Sequence, residues 1–234
     1  MHDIQAFLDV RGRAVDIRGR LFAYPELEPE KTALVIVDMQ NVFCAPGALV
    51  EVPEARDIVP NINSLTTAAR AAGMPVVWLR HTSDKDTEQG WPVFFRFGMT
   101  PDRKDAYLDA MSLGAEGHQI YSGLEVADSD LIVDKRRFSG FAPGSSTLDT
   151  VLRERGIDNI IITGTLSNVC CESTARDAYF LNYGIIFPSD ANACLSDDEH
   201  NATLVNMHSF FGDVRSTDDI LTALQHNEHR FAES

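Results

Sequence analysis

Three side chains suited to nucleophilic thiol chemistry follow the ends of predicted strands: Asp38, Lys135 and Cys170. A carboxylate can take up the thiol proton and return it to a leaving amine. A nearby amine adds positive charge, which favours the thiolate over the thiol. Each residue alone also has an ordinary structural interpretation, as a turn former, a solvated lysine or a packed thiol. Their occurrence together at strand ends predicts an active site.

Cys170 is expected in the first turn of a helix. Unsatisfied N–H groups and the helix dipole stabilise a thiolate there, and Lys135 adds a full positive charge, so we expect the thiolate to persist. The N–H groups of the turn into the helix, including that of Cys170, are expected to face the oxyanion of a tetrahedral intermediate.

An alternation of strands and helices is needed to bring these side chains to one edge. Apolar runs predict strands over residues 32–38, 75–79, 131–134, 159–163, 185–187 and 213–215, and helical spacing predicts helices over about 54–72, 146–155, 170–182, 197–210 and from 217. This pattern favours a three-layer α/β/α, Rossmann-like fold with a mainly parallel six-stranded sheet. Ligands of such sheets bind beyond the carboxyl ends of the strands.

The chain divides into a polar N-terminal arm, residues 1–30, and a single domain, residues 31–234. The segment 81–123 is less regular, contains Trp91 and several phenylalanines, and is expected to be an insertion over one sheet edge. The arm and the apolar stretch 91–97 are expected to supply contacts between subunits.

Composition excludes several classes of partner. The 234 residues include 35 Asp and Glu against 20 Lys and Arg, a net charge of −15, which disfavours binding to nucleic acid and to anionic membrane surfaces. The apolar runs are shorter than the ~18 residues of a membrane span. No secretory signal is visible, and four cysteines are too few for a disulfide scaffold. We therefore expect a cytoplasmic protein with reduced thiols.

Three separate motifs carry a family resemblance. They are TALVIVDMQN at 32–41, DKRRFSGF at 134–141 and TGTLSNVCCESTARDA at 163–178. In this order they resemble the isochorismatase-like cysteine hydrolases, with a match from about Thr32 to Leu224. The resemblance implies the isochorismatase-like fold and assembly as a homodimer or homotetramer.

The resemblance also implies residue roles. It makes Asp38, Lys135 and Cys170 a catalytic triad and places a non-proline cis peptide, which shapes the oxyanion hole, at Leu166–Ser167. The family's nucleophile follows Asn-Val and precedes an apolar residue and Glu-Ser-Thr, which selects Cys170 over Cys171. Since one residue of helix rotates a side chain by ~100°, the two thiols cannot face the same site. The other three cysteines are interpreted as packing residues.

Nicotinamidases of this family carry a metal site that includes two histidines. The corresponding stretch 78–84 holds His81 and no second histidine at ligand spacing, so we expect no catalytic metal and no cofactor, with His81 as a loop or interface histidine. The candidates for lining the substrate pocket are Asn41, Trp91, Ser139 and Phe141.

The resulting prediction is a metal-independent cysteine amidohydrolase. It would cleave a C–N bond of a small amide, ureido or carbamoyl substrate through a thioester-type intermediate on Cys170. The motifs look most like those of the ureidoacrylate and N-carbamoylsarcosine amidohydrolases. Two alternatives stay open: a vinyl-ether hydrolase of the isochorismatase type, and a non-catalytic binding protein on the same fold.

Overall fold

Seven parallel strands form the central sheet of the computed structural model, which describes residues 1–232, with side chains through residue 225. The strands are β1 Thr32–Val37, β2 Val76–His81, β3 Leu131–Lys135, β4 Asn159–Thr165, β5 Gly184–Pro188, β6 Asn192–Ala193 and β7 Asp213–Arg215. Six lie in the order β3-β2-β1-β4-β5-β7, and β6 pairs with the carboxyl end of β4. The predicted six-stranded sheet therefore gains one strand, which is too short to show a periodicity.

Helices cover both faces of this sheet. They are α1 Gln5–Leu8, α2 Arg13–Arg18, α3 Asn41–Cys44, α4 Val59–Ala71, α5 Lys85–Gly90, α6 Pro92–Phe97, α7 Pro101–Met111, α8 Leu148–Arg153, α9 Glu172–Phe180, α10 Asp197–Asn206 and α11 Thr217–Ala232. Short 3-10 turns at Pro29–Lys31 and Pro53–Arg56 and π-helical turns at Ser167–Cys171 and Met207–Phe211 complete the secondary structure of the described residues. The three-layer α/β/α prediction is confirmed.

The apolar strands are explained by burial on both faces. Along β1, Leu34 and Ile36 enter one hydrophobic core, while Ala33, Val35 and Val37 enter the other. The first core receives side chains of α4 and α11, and the second receives side chains of α8, α9 and α10. A strand covered on both sides has no polar face, which accounts for the unbroken apolar runs in the sequence.

The strand order changes direction between β1 and β4, and in open parallel sheets ligands bind beyond the carboxyl ends of the strands at such a point. Val37, the last residue of β1, pairs with Gly164 of β4. At the other side of β1, His81 of β2 is the register partner of Lys135 of β3. Side chains that leave these strand ends therefore meet at one edge of the sheet.

The segment 81–123 contains α5, α6 and α7, which the sequence pattern did not predict. Its end is tied to the loop after β1, because Tyr121 N donates to Met39 O, and Asn41 N to Gln119 O, both at 2.9 Å. Each of these helices has 11 or fewer residues, too short to show a clear amphipathic repeat.

Residues 1–30 lie against the rest of the chain. Phe7 is buried in the second core and its amide donates to Asn201 Oδ1 at 2.9 Å. The amides of Ala23 and Tyr24 both donate to the carboxylate of Asp213. None of the helices within residues 1–232 is long and apolar enough to cross a membrane.

Candidate active site

Asp38 and Lys135 form a buried ion pair at the carboxyl ends of β1 and β3. Lys135 Nζ lies 2.8 Å from Asp38 Oδ2, and both side chains are 1% exposed or less. Asp38 has a φ of 53°, a left-handed conformation that Asp adopts more readily than most residues. Its amide donates to Leu79 O at 2.8 Å, so β2 fixes the turn that aims the carboxylate.

All three protons of the Lys135 ammonium have an acceptor. Besides Asp38 Oδ2, Lys135 Nζ lies 3.3 Å from His81 Nδ1 and 3.2 Å from Arg137 O. An ammonium group carries three N–H donors. Burial by itself lowers the pKa of Lys135, but Asp38 and Cys170 beside it have the greater effect and raise that pKa. Lys135 is thus held in one orientation as a cation.

Cys170 reaches the same point from β4. The strand ends at Thr165, and the π-helical turn 167–171 leads into α9. The amides of Val169 and Cys171 both donate to Leu166 O at 3.1 Å. The Cys170 sulfur, a carboxylate oxygen of Asp38 and a ring nitrogen of His81 all lie within 4.8 Å of one another.

The resting form of Cys170 differs from the expectation. Burial, and next the charge of Asp38, raise the pKa of the thiol far above its usual range, and Lys135 lowers it by less. This direction of the pKa shift favours the thiol over the thiolate in the resting site, opposite to the expectation from the helix N-terminus and Lys135. The sequence pattern showed the positive group but not the complete burial of the sulfur.

One carboxylate oxygen of Asp38 is left to accept a proton. Oδ2 is engaged by Lys135, whereas Oδ1 is buried and has no hydrogen-bond partner among the described residues. Burial raises the pKa of Asp38, and Lys135 and Cys170 act in the opposite direction. The arrangement offers a free buried acceptor beside a protonated thiol.

His81 lies in the candidate site, so its prediction as a loop or interface histidine is wrong. It is the last residue of β2, is buried, and contacts Lys135 through Nδ1. Its Nε2 lies 3.0 Å from Ser83 Oγ and 3.2 Å from the Tyr107 hydroxyl. The predicted strand stopped at Leu79, two residues early, which hid a strand-end signal. We call Asp38, His81, Lys135 and Cys170 the strand-end cluster.

The non-proline cis peptide joins Thr165 and Leu166 and not, as predicted, Leu166 and Ser167. Strand β4 continues to Thr165, beyond its predicted end, so the chain turns at the bond directly after the strand. The Ser167 hydroxyl lies 2.8 Å from His200 Nδ1. Because His200 Nε2 must donate to Ser189 O at 2.9 Å, the hydroxyl donates to Nδ1.

Gly164 allows the two central strands to approach behind the cluster. It has a φ of +122°, and a Cβ atom there would clash with the carbonyl oxygen of Val37. Only glycine combines that backbone conformation with so close a neighbour.

Five aromatic side chains pack together beside the strand-end cluster and contact it through Tyr107 and His81. We call Trp91, Phe94, Phe95, Tyr107 and Phe138 the aromatic cap. Trp91 stacks on Phe94 with ring centroids 4.5 Å apart and meets the edge of Phe138 at 4.8 Å. Tyr107 connects the cap with His81 through its hydroxyl. The Arg137 guanidinium lies over Trp91, 5.4 Å from the ring centroid, and donates to Gly90 O at 2.6 Å.

The other predicted pocket residues contact the scaffold. Asn41 Nδ2 donates to Glu116 O at 3.0 Å, and Ser139 Oγ accepts from the amide of Phe141 at 3.1 Å. The Phe141 ring lies 5.3 Å from that of Tyr183. Phe141 packs against the second core, which includes Cys170, and the role of the three residues as pocket lining stays a prediction.

Two groups among the described residues bring metal-type ligand atoms within 4.8 Å, and neither suits a metal ion. In the group Asp38, His81 and Cys170, the Lys135 ammonium lies 2.8 Å from Asp38 Oδ2 and 3.3 Å from His81 Nδ1, so a metal ion there would lie next to a buried cation. In the group His2, Cys194 and His200, the two imidazoles stack at 4.5 Å with an angle of 18°. Lone pairs in the planes of stacked rings run side by side and do not converge on one ion.

The isochorismatase domain model matches residues 32–219. A cysteine hydrolase from Pseudomonas syringae pv. phaseolicola 1448A is 33% identical, with a TM-score of 0.76 over 88% of this chain and 97% of its own. N-carbamoylsarcosine amidase from Thermoplasma acidophilum is 28% identical, with a TM-score of 0.65 over 80% and 97%. Nicotinamidase/pyrazinamidase from Bacillus subtilis is 28% identical, with a TM-score of 0.68 over 80% and 100%. The chain therefore belongs to the isochorismatase family of hydrolases.

Proposed function

We propose that this member of the isochorismatase family is a metal-independent cysteine amidohydrolase that cleaves a C–N bond of a small amide, ureido or carbamoyl substrate. One observation carries the proposal. Asp38 presents a free, buried carboxylate oxygen beside the Cys170 thiol, while Lys135 holds the other oxygen at 2.8 Å. Acid, cation and nucleophile are thus arranged for proton transfer coupled to attack on a carbonyl carbon.

In the first half-reaction, the Cys170 S–H proton passes to Asp38 Oδ1 as the sulfur forms a bond to the substrate carbonyl carbon. The resulting oxyanion lies near the Lys135 cation and the amides at the start of the π-helical turn. Asp38 then gives its proton to the substrate nitrogen as the C–N bond breaks. Ammonia or an amine leaves, and a thioester or thiocarbamate remains on Cys170.

In the second half-reaction, water takes the place of the amine. Asp38 accepts one proton of the water as its oxygen attacks the carbonyl carbon. The C–S bond then breaks, and the proton held by Asp38 returns to the sulfur. The cycle restores the protonated thiol that burial favours in the resting site.

The relatives support C–N chemistry over vinyl-ether cleavage. Two of the similar structures are named as amidases, one for N-carbamoylsarcosine and one for nicotinamide and pyrazinamide. A thiol nucleophile also suits an acyl carbon.

Assembly as a homodimer or homotetramer stays a prediction, and sedimentation would measure it. Val93 and Phe97 of α6 are largely exposed, so they are candidates for the contacts between subunits.

The direct test is to trap the intermediate. A panel of ureido acids, carbamoyl amino acids, simple amides and nicotinamide is scored for ammonia release. Rapid acid quenching of a turning-over reaction, followed by peptide mass spectrometry, should locate an acyl adduct on Cys170. Cys170→Ser should abolish the adduct, whereas the matched Cys171→Ser variant should retain it, because Cys171 is fully buried in the second core.

Three outcomes contradict the proposal. An adduct on Cys171 would show that Cys170 is not the nucleophile. Cleavage of isochorismate that survives Cys170→Ala would favour the vinyl-ether alternative. Absence of turnover together with iodoacetamide labelling of Cys170 no faster than that of an ordinary buried thiol would favour a non-catalytic binding protein.

A further inference from the structure

We propose that His81 is a positioning residue that keeps Lys135 oriented toward Asp38 and Cys170 by accepting one of its ammonium protons at Nδ1. The proposal extends the mechanism proposed above and rests on it for its kinetic consequences. The geometric argument needs only β2 and β3. His81 and Lys135 are register partners at the carboxyl ends of these two strands. Partners in parallel strands place their side chains on the same face of the sheet, so the contact follows from the backbone.

The hydrogen-bond partners assign the tautomer of His81. Lys135 can only donate, and its Nζ lies 3.3 Å from His81 Nδ1, so this nitrogen carries no proton. The proton of the neutral ring is then on Nε2, which lies 3.0 Å from Ser83 Oγ and 3.2 Å from the Tyr107 hydroxyl. Both of these oxygens can accept it.

Burial and the surrounding cations keep the ring neutral. The groups that act on it are Lys135 from β3, Arg137 from the loop after β3, and His118 from the loop after α7. Burial, and next Lys135, hold the pKa of His81 well below its usual range. A protonated His81 would lose its acceptor and would place a second cation next to the ammonium.

The consequence for the reaction is that Lys135 and Asp38 have different roles. With acceptors at Asp38, His81 and the Arg137 carbonyl, all three ammonium protons are engaged and Lys135 stays at one point. Lys135 then acts as a fixed charge, and Asp38 alone moves protons. Loss of the His81 acceptor would let the ammonium swing toward other oxygens and would misalign Asp38.

Nitrogen-15 NMR of histidine-labelled protein tests the tautomer without any substrate. The His81 resonances are identified by their disappearance in His81→Asn. We expect a neutral ring with the proton on Nε2 throughout the pH range in which the protein is folded. A neutral ring with the proton on Nδ1, or an imidazolium at neutral pH, would overturn the proposal.

Three variants test the positioning role. His81→Leu removes the acceptor and should lower kcat by about 10²-fold, with KM changed by less than about threefold, because a small displacement of a catalytic group has effects of that size. His81→Asn offers an amide oxygen near the position of Nδ1 and should recover kcat to within about tenfold of the wild type. His118→Leu is the control, since His118 is also buried but its Nε2 contacts Thr82 Oγ1 at 2.7 Å.

His118→Leu should lower the Tm without the loss of kcat. Equal kcat losses in His81→Leu and His118→Leu would show that His81 has only a structural role. The same conclusion would follow if kcat did not recover in a folded His81→Asn variant. If no hydrolysis is found at all, the rate of Cys170 alkylation by iodoacetamide as a function of pH replaces kcat. An alkylation profile that is the same in the wild type and in both His81 variants would then contradict the positioning role.

Discussion

The strand-end cluster and the aromatic cap lie against each other, but they are held in different ways. Members of the cluster leave the ends of β1, β2 and β3 and the turn after β4, and Lys135 alone makes three directed polar contacts. The rings of the cap come mostly from α6 and α7 and touch through faces and edges. Two neighbours of the cap in α6, Val93 and Phe97, are 66% and 74% exposed.

This difference assigns different tasks to the two regions. Proton transfer and charge stabilisation depend on fixed directions, which a buried parallel sheet provides. Substrate entry requires a wall that can move, and short helices with exposed surface open at low cost in free energy. Cys170 is only 5% exposed, so we expect a substrate to reach it through a local opening, for which the cap is the candidate. Changes in the cluster should therefore affect the chemical step, and changes in the cap should affect binding.

The largest effect is expected for Lys135→Met, which removes the cation of the cluster. Activity should fall by about 10³-fold because the oxyanion and the Asp38 carboxylate lose their charge partner. The variant should also lose about 3–5 kcal/mol of unfolding free energy, since Asp38 is left buried and unpaired. Activity assays and urea unfolding measure the two losses.

The double variant Asp38→Asn with Lys135→Met is the control for that loss of stability. It leaves no unpaired charge and should be more stable than Lys135→Met, while it stays inactive. A Lys135→Met enzyme within tenfold of wild-type activity would contradict the assignment of the chemistry to the cluster.

Gly164→Ala should have the next largest effect, a loss of unfolding free energy, because Gly164 lies where β1 and β4 approach each other behind the cluster. A Cβ atom would clash with Val37 O, and the φ of +122° is unfavourable for alanine. The expected loss is about 3–4 kcal/mol of unfolding free energy. Gly73→Ala is the matched control: its φ is +74°, but nothing lies within 4 Å of the added methyl group, so about 1 kcal/mol is expected. Equal losses in the two variants would show that the close approach of the strands contributes little.

The difference between the strand-end cluster and the cap also explains which site residues could be predicted from the sequence. Strand β1 was predicted because both of its faces are buried, and burial leaves a continuous apolar run. Asp38, Lys135 and Cys170 could then be found as the polar residues that follow such runs. The strand-end rule also applied to His81, but it was missed because β2 was predicted two residues too short.

The cap could not be predicted in the same way. Its rings are far apart in the sequence, from Trp91 to Phe138, and their contacts depend on how three short helices fold back on the sheet. The protonation of Cys170 also escaped prediction, because spacing shows which charges are near but not how much water is excluded. Local patterns therefore predict the proposed nucleophile and its acid, and tertiary packing decides the rest of the candidate site.

Trp91→Ala tests the cap directly. It removes the stack on Phe94, the edge contact with Phe138 and the contact with the Arg137 guanidinium. We expect KM to rise by about tenfold with kcat changed by less than about threefold, the pattern of lost binding without lost catalysis. Trp91→Phe retains an aromatic face and should stay within about threefold of the wild type in both constants. A kcat loss of 10²-fold at constant KM would instead make the cap part of the chemistry.

The smallest effect is expected at Asp84, which caps the N-terminus of α5, the helix that leads into Trp91 of the cap. Asp84 Oδ1 accepts from Thr87 N at 2.9 Å at the start of α5, and Asp84 Oδ2 lies 2.5 Å from Arg136. The bond with Arg136 is the main cause that lowers the pKa of Asp84 to about 2. A carboxyl group whose pKa is lower in the folded state stabilises that state above its unfolded pKa of about 4, and this contribution is lost as the pH falls toward 2.

Asp84→Asn should accordingly weaken these contacts at neutral pH by about 1 kcal/mol, a value limited by the partial exposure of both partners. Hydrogen exchange of the α5 amides measures the effect locally and should accelerate in the variant, and in the wild type below about pH 4. Asp86→Asn, at an exposed position of the same helix, acts on Arg136 only through its charge and should change the exchange by less than Asp84→Asn does. If the β3 amides near Lys135 accelerated together with those of α5, cap and cluster would open as one unit. If the two regions act separately, exchange of the α5 amides should accelerate while exchange of the β3 amides stays slow.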